Sequence, residues 1–382
     1  MREIPFNRPH VAGPTLSHVQ QAIEGGLASG AFGARCDEWL ARTTGADRAL
    51  LAHSGTGALE AAAMLAGVGP GDEVIMPSFA FATIATAVVR QGGTPVFVDI
   101  RPDTLNVDPA RVEAAVGPRT KAIVAVHYGG VGCDMEELLA IAADHGLVLI
   151  EDAAHSLLAS YRDSQLGSIG QLGVLSFHHT KNVTSGEGGA LLVNDPGLRE
   201  RAEIVWEKGT DRTRFDRGEV DRYTWIDVGS SFAASEITAA FLWSQLEVAG
   251  ELTERRVAIW DRYHAAFAEI ERDGLARRPI VPADRSHNGH LYYLLLPARE
   301  NRDAFIADLA GQGVASAFHY VPLHSAPAGR AYGRAADDLT HTDAASARLV
   351  RLPLWADLDG DSVERVIEAS VAAVGRAAGA RA

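Results

Sequence analysis

The sequence predicts an α/β protein: a mostly parallel sheet in α/β/α layers, followed by a smaller α+β unit at the C-terminal end. Three observations lead there. Up to about residue 193, short apolar runs alternate with helical patterns. Most of those runs are apolar throughout, which is how strands covered on both faces read. After Asn194 the alternation stops and longer helical patterns take over.

The first elements are helical. Residues 15–26 form an amphipathic pattern that ends at Gly25-Gly26. The stretch ASGAFGA leads into a second helical pattern at 36–43. Strands are expected at EVIMP (73–77), PVFVD (95–99), AIVAVHY (122–128), LVLIED (147–152), GVLSF (173–177) and ALLV (190–193). Helical patterns fill 57–66, 84–91, 109–116 and 135–145. Next come a helix at 197–206, a polar loop, KGTDRTRFDRGEVDRYTW (208–225), and long helical patterns at 233–248 and 251–272. The closing part reads as strands HLYYLLLP (290–297) and VASAFHY (314–320), with helices at 302–309 and 358–374 and a frayed tail, GRAAGARA (375–382). The domain boundary is expected near residue 250, giving a large domain 1–250 and a small domain 251–382.

A chain of 382 residues exceeds one ordinary core. Its 47% hydrophobic and 22% charged content fits a globular protein without a large disordered part. The net charge of -14 argues against a nucleic-acid-binding surface, which needs a basic face. A small anionic ligand stays possible, since backbone amides at a helix start can bind one. Cys36 and Cys133 lack metal-type spacing and read as buried thiols in a reducing cytoplasm. No apolar signal core opens the chain and no run of about 20 apolar residues occurs, so no membrane span is expected.

Three segments could carry chemistry. Ser54-Gly55-Thr56-Gly57 precedes an alanine-rich helix, where free N–H groups can hold a phosphate; an ordinary N-cap reads the same way. In Glu151-Asp152-Ala153-Ala154-His155, two carboxylates end an apolar strand, at the sheet edge where open α/β sheets bind ligands. In Ser176-Phe177-His178-His179-Thr180-Lys181-Asn182, a lysine lies between a strand end and the turn Gly186-Glu187-Gly188-Gly189. A desolvated lysine there would be a nucleophile toward a carbonyl. Together these supply a phosphate cradle, a carboxylate for a pyridinium nitrogen and a Schiff-base lysine, the three things pyridoxal phosphate (PLP) requires.

At this point the chain resembles the DegT/StrS family of PLP-dependent nucleotide-sugar aminotransferases. The resemblance runs through IPFNRP (4–9), HSGTGALE (53–60), PGDEVIMPSFAFATIATAV (70–88), FVDIRPDTLNVDP (97–109), EDAAHS (151–156), LGSIGQLGVLSFHHTKNVTSGEGGALLVND (166–195), FHYVPLH (318–324) and LPL (352–354). It is narrower toward the dTDP-4-oxo-6-deoxy-D-glucose transaminases, on EIVWEKGTDRTRF and VDRYTWIDVGSS. The resemblance implies the aspartate-aminotransferase-like (fold type I) architecture and a homodimer with active sites at its interface. It implies that Lys181 carries the cofactor and shuttles a proton, and that Asp152 pairs with the ring nitrogen. His155 would lie near the phenolic oxygen, Phe81 on the ring face, and Gly55, Thr56 and Ser176 on the phosphate. His319 and Tyr320 would lie near the substrate.

The same resemblance implies L-glutamate as donor, a dTDP-4-keto-6-deoxyhexose as acceptor and C4 as the aminated carbon. Action at sugar C3 or on a cyclitol ketone is the alternative. Where many relatives use an asparagine to reach the neighbouring subunit's phosphate, this chain has Gly229-Ser230-Ser231-Phe232, so Ser231 replaces it. Loop 208–225 sets Lys208, Arg212, Arg214, Arg217 and Arg222 against four acids. An internally paired loop is expected, with Arg212 as the candidate for a substrate diphosphate across the interface. Relatives with histidine in place of the lysine are dehydratases, and Lys181 argues against that chemistry. A nicotinamide dehydrogenase would need G-x-G-x-x-G after the first strand, which the sequence lacks.

Overall fold

A computed structural model describes residues 3–28 and 30–379. Its strands in chain order are β1 (Arg48–Ala52), β2 (Glu73–Pro77), β3 (Thr94–Val98), β4 (Thr120–Val126), β5 (Val148–Asp152), β6 (Ser160–Tyr161), β7 (Ser164–Gln165), β8 (Leu172–Ser176), β9 (Gly189–Val193), β10 (Arg285–Ser286), β11 (Tyr292–Leu295), β12 (Ala317–Phe318), β13 (Arg334–Ala335) and β14 (Leu349–Leu352). The main sheet has the order β1-β9-β8-β5-β4-β2-β3-β13. From β8 to β13 every pairing is parallel; β9 runs against both neighbours, β1 and β8.

Burial on both faces explains the continuous apolar runs. Along β2, Val74 and Met76 join the layer that holds helix Gly55–Leu65, and Ile75 joins the layer that holds helix Met135–His145. Each such side chain, fully buried, stabilises the fold by about 1.5–3 kcal/mol. Ala61, Ala62 and Ala63 are all buried, so this helix is enclosed by the sheet and by neighbouring helices with little side-chain bulk between them. The ends of these helices follow local rules. Ser54 Oγ accepts from Gly57 N, Pro109 opens its helix behind an Asp108 cap, and Gly146 closes helix Met135–His145 in the left-handed region.

The six strands expected between residues 73 and 193 are all present, with ends displaced by at most two residues; β1 is additional. The C-terminal part forms its own sheet, β11-β14-β12, which packs through Tyr292 on Tyr263, Phe267 and Phe305. Strand and core contacts cross the line at residue 250. Ile4 packs in the C-terminal core, β13 pairs with β3, and β10 pairs with β6. The run VASAFHY is strand only at Ala317–Phe318, and the pattern at 251–272 divides into helices Ala249–Ala266 and Ala268–Arg272. Helix Gly360–Gly379 continues into the tail expected to fray, of which 380–382 lie outside the described residues. Both cysteines are buried and free. Among the described residues, no helix is long and apolar enough to cross a membrane.

This topology sets three strand ends side by side. Gly189 at the start of β9 lies opposite both Ala52 of β1 and Ser176 of β8. A Cβ on Gly189 would stand 2.4 Å from Gly55 N, so only glycine lets the three segments close up. The carboxyl ends of β1, β5 and β8 thereby present Ser54, Asp152 and Ser176 on one edge, the ligand-binding edge of an open α/β sheet.

Candidate active site

A cavity of about 480 Å³ opens above this edge. Its floor comes from the main sheet: Ser54, Gly55, Thr56, Asp152, His155, Ser176 and Lys181. Its opposite wall comes from the C-terminal unit: His290, His319, Tyr320 and Arg351. At the helix start, Ser54 Oγ occupies the Gly57 N–H. Among the described residues, the N–H groups of Gly55 and Thr56 have no protein acceptor, as the first turn of a helix requires. A Cβ on Gly55 would meet Ser176 Cβ at 3.0 Å, so the glycine keeps Ser176 against these open amides.

Lys181 stands in the loop between β8 and β9, partly buried in the cavity wall. The loop is closed by Phe177 N to Gly188 O and His179 N to Gly186 O, both 2.8 Å. Burial pulls the Lys181 pKa from the usual 10.5 to about 8; Asp152 opposes that shift and Arg351 adds to it. Asp152 is buried and accepts from Ala154 N at 3.0 Å. Burial raises its pKa, against the Ala154 N–H and the Lys181 charge. Burial also holds His155 well below the ordinary imidazole range, so its ring is neutral, and Nδ1 accepts from Gly129 N at 3.3 Å.

Behind these groups lies a support that no local motif announces. Glu151, fully buried, accepts from the N–H groups of Gly167, Ile169 and Gly170 and from His127 Nε2 at 2.9 Å. Burial disfavours charge on His127 and Glu151 favours it. The Cys133 N–H aimed at Nδ1 leaves that nitrogen an acceptor, which fixes the neutral ring. His127 N then donates to Asp152 O, tying this buried pair to the site. A second support runs through Asn182, whose amide donates to Asn288 O at 2.9 Å and accepts from His290 Nδ1 at 2.9 Å. His290 stacks on His155 with ring centres 4.1 Å apart. A third is Tyr128, whose hydroxyl is hydrogen-bonded to His319 Nδ1 at 3.0 Å. These side chains come from separate segments, so sequence order alone does not reveal their meeting.

The structure gathers Gly55, Thr56, Phe81, Asp152, His155, Ser176, Lys181, His319 and Tyr320 around one cavity. Phe81 is 61% exposed although it lines the cavity, so its ring face is free for a ligand. Ser231 and Arg212 are not brought there by their own chain. Ser231 is exposed beside Glu207, and Arg212 lies 3.7 Å from Asp216 and 5.9 Å from the Tyr223 ring. Loop 208–225 is paired much as expected: Arg214 meets Glu200 and Glu219, and Arg217 meets Glu203 and Glu219. Lysine, buried carboxylate, open helix amides and a bare aromatic face on one cavity fit pyridoxal phosphate in size and chemistry.

Comparison with known proteins agrees with this geometry. The model of the DegT/DnrJ/EryC1/StrS aminotransferase family matches residues 13–371. The spore coat polysaccharide biosynthesis protein SpsC of Bacillus subtilis is 34% identical over 375 residues, covering 96% of each chain. Among solved structures, Spr1654 of Streptococcus pneumoniae, assigned as a sugar aminotransferase and solved in a PMP form, superposes with a TM-score of 0.91 at 25% identity, over 99% of each chain. The aminotransferase TlmJ of Streptoalloteichus hindustanus gives 0.87 at 29% identity, over 98% of this chain and 99% of that one. The chain therefore belongs to the DegT/DnrJ/EryC1/StrS aminotransferase family and is a pyridoxal-phosphate-dependent aminotransferase.

Proposed function

We propose that this aminotransferase moves an amino group from L-glutamate to C4 of a dTDP-linked 4-keto-6-deoxyhexose. The products are a 4-amino-4,6-dideoxy sugar nucleotide and 2-oxoglutarate, and the working form is a cytoplasmic homodimer. The observation that carries the reading is the convergence of Lys181, Asp152 and the Gly55–Thr56 amides on one cavity. Spr1654, assigned to sugars, and SpsC, named for polysaccharide biosynthesis, support a sugar as the acceptor.

When bound, pyridoxal phosphate supplies the carbonyl that exchanges for the amine and the ring that takes up the electron pair of the broken C–H bond. The chain's residues do the rest. The Gly55 and Thr56 N–H groups and the Ser176 hydroxyl would hold the phosphate, and Ser231 of the other subunit would complete the cradle. Asp152 would pair with the ring nitrogen, whose positive charge would favour the carboxylate against the burial that raises its pKa, Phe81 would offer its ring to the cofactor, and neutral His155 would lie beside it. Lys181, held near a pKa of 8, is neutral often enough at neutral pH to take a proton from the substrate carbon and return it. His319 and Tyr320 face the sugar, and Arg212 meets the diphosphate across the interface.

Lys181→Ala is expected to abolish both the lysine-linked visible absorbance of the cofactor and turnover. An active, coloured variant would overturn the assignment. Incubation with glutamate and a panel of keto-sugar nucleotides, followed by NMR of the product, tests the acceptor. Nitrogen at C3, or transfer only to a cyclitol ketone, would replace the C4 reading.

A further inference from the structure

We infer that His290 is a positioning residue: it holds the His155 ring with its Nε2–H toward the phenolic oxygen of the cofactor. The inference rests on the cofactor placement proposed above. His155 is neutral and its Nδ1 accepts from Gly129 N, so the ring proton sits on Nε2. Among the described residues, no protein acceptor meets that Nε2–H. The Gly129 bond is 3.3 Å long. One long bond selects the tautomer but leaves the ring free to turn about its terminal torsion, which is intrinsically broad.

His290 supplies the missing constraint. It stands two residues before β11, and its ring lies on that of His155 with centres 4.1 Å apart and planes inclined by 22°. Burial keeps His290 neutral as well, so the stack carries no charge repulsion. The plane of His290 is set in turn by Asn182. The Asn182 Nδ2–H donates to Asn288 O at 2.9 Å, so its Oδ1 faces His290 Nδ1, which carries its proton and donates, also at 2.9 Å. Asn288 closes the circuit: buried, it donates from Nδ2 to the carbonyls of His155 and Leu157 at 2.8 and 2.9 Å. The chain of contacts leaves His155 through its ring and returns to its backbone, and Asn182 directly follows Lys181. A closed network of this kind loosens as a whole when one member is removed. His155 is thereby held in fixed relation to the lysine loop.

The test titrates cofactor-free protein calorimetrically with pyridoxal phosphate and with its 3-deoxy analogue, which lacks the phenolic oxygen. The ratio of the two affinities is the readout. The wild type should prefer pyridoxal phosphate, and His155→Ala should reduce that preference about ten- to a hundredfold. His290→Asn, which keeps a donor for Asn182 but loses the ring, should reduce it nearly as far. His290→Phe, which keeps a ring but loses the donor, should fall between. Combining His155→Ala with His290→Asn should lower the ratio no further than His155→Ala alone, because both act on one contact. A His290 that merely fills space would weaken both compounds alike and leave the ratio unchanged. That result, a wild-type ratio in His290→Asn, or additive losses in the double variant would each overturn the inference. If His155→Ala itself keeps the wild-type ratio, the placement of His155 falls, and this inference with it.

Discussion

Lys181 feels three influences of known sign: burial and Arg351 favour its neutral form, and Asp152 favours the ammonium. Only the neutral amine is nucleophilic, so acetylation of Lys181 in cofactor-free protein should rise with pH around a midpoint of about 8. Removing the anion in Asp152→Asn should move that midpoint lower. Mass-spectrometric rates against pH check both, and a midpoint near that of exposed lysines would contradict the burial. Asp152 was legible in the sequence because it ends an apolar run at a strand terminus, and Lys181 because it lies between a strand end and a glycine-rich turn. His127, Tyr128, Asn182, His290 and Arg351 were not. Each matters through a partner 24 or more residues away, and nothing adjacent in sequence marks the pairing.

At the scale of elements, β9 is the keystone between β1 and β8. Gly189→Ala would drive a Cβ into the Gly55 backbone, and its closest contacts there are main-chain atoms. A loss of about 3 kcal/mol is expected, together with weaker cofactor retention, because Gly55 N–H would move. Thermal unfolding and cofactor titration measure the two effects, and an unperturbed variant would contradict the tight approach. The interior strands read well because burial on both faces leaves an unbroken apolar run. β1, RALLA, did not, since five residues rich in alanine carry no period that separates strand from helix. VASAFHY failed in the other direction. Its composition suits a strand, but Val314 makes only an isolated bridge to Ile4, and Ala317–Phe318 alone pairs with a strand, β14, before the chain turns to deliver His319 and Tyr320 to the cavity.

At the scale of the molecule, Tyr223, Trp225, Ile226 and Val228 form an exposed apolar run, with Trp225 76% exposed. Such a cluster favours coverage by another surface, in keeping with the proposed homodimer. If the proposed dimer forms through this face, Trp225→Glu should shift the protein from dimer to monomer in sedimentation velocity and loosen the cofactor, by removing the contact proposed for Ser231. A variant that remains dimeric would place the interface elsewhere.

The cavity's two walls belong to different sheets. Lysine, acid and helix amides are anchored to one slab, while the histidine, tyrosine and arginine opposite ride on another. Were the second slab to swing away, the gap would widen without stretching any attachment of the cofactor. Guests of unequal bulk, a slim amino donor and then the bulkier sugar nucleotide proposed as acceptor, could take turns while the prosthetic group stayed seated.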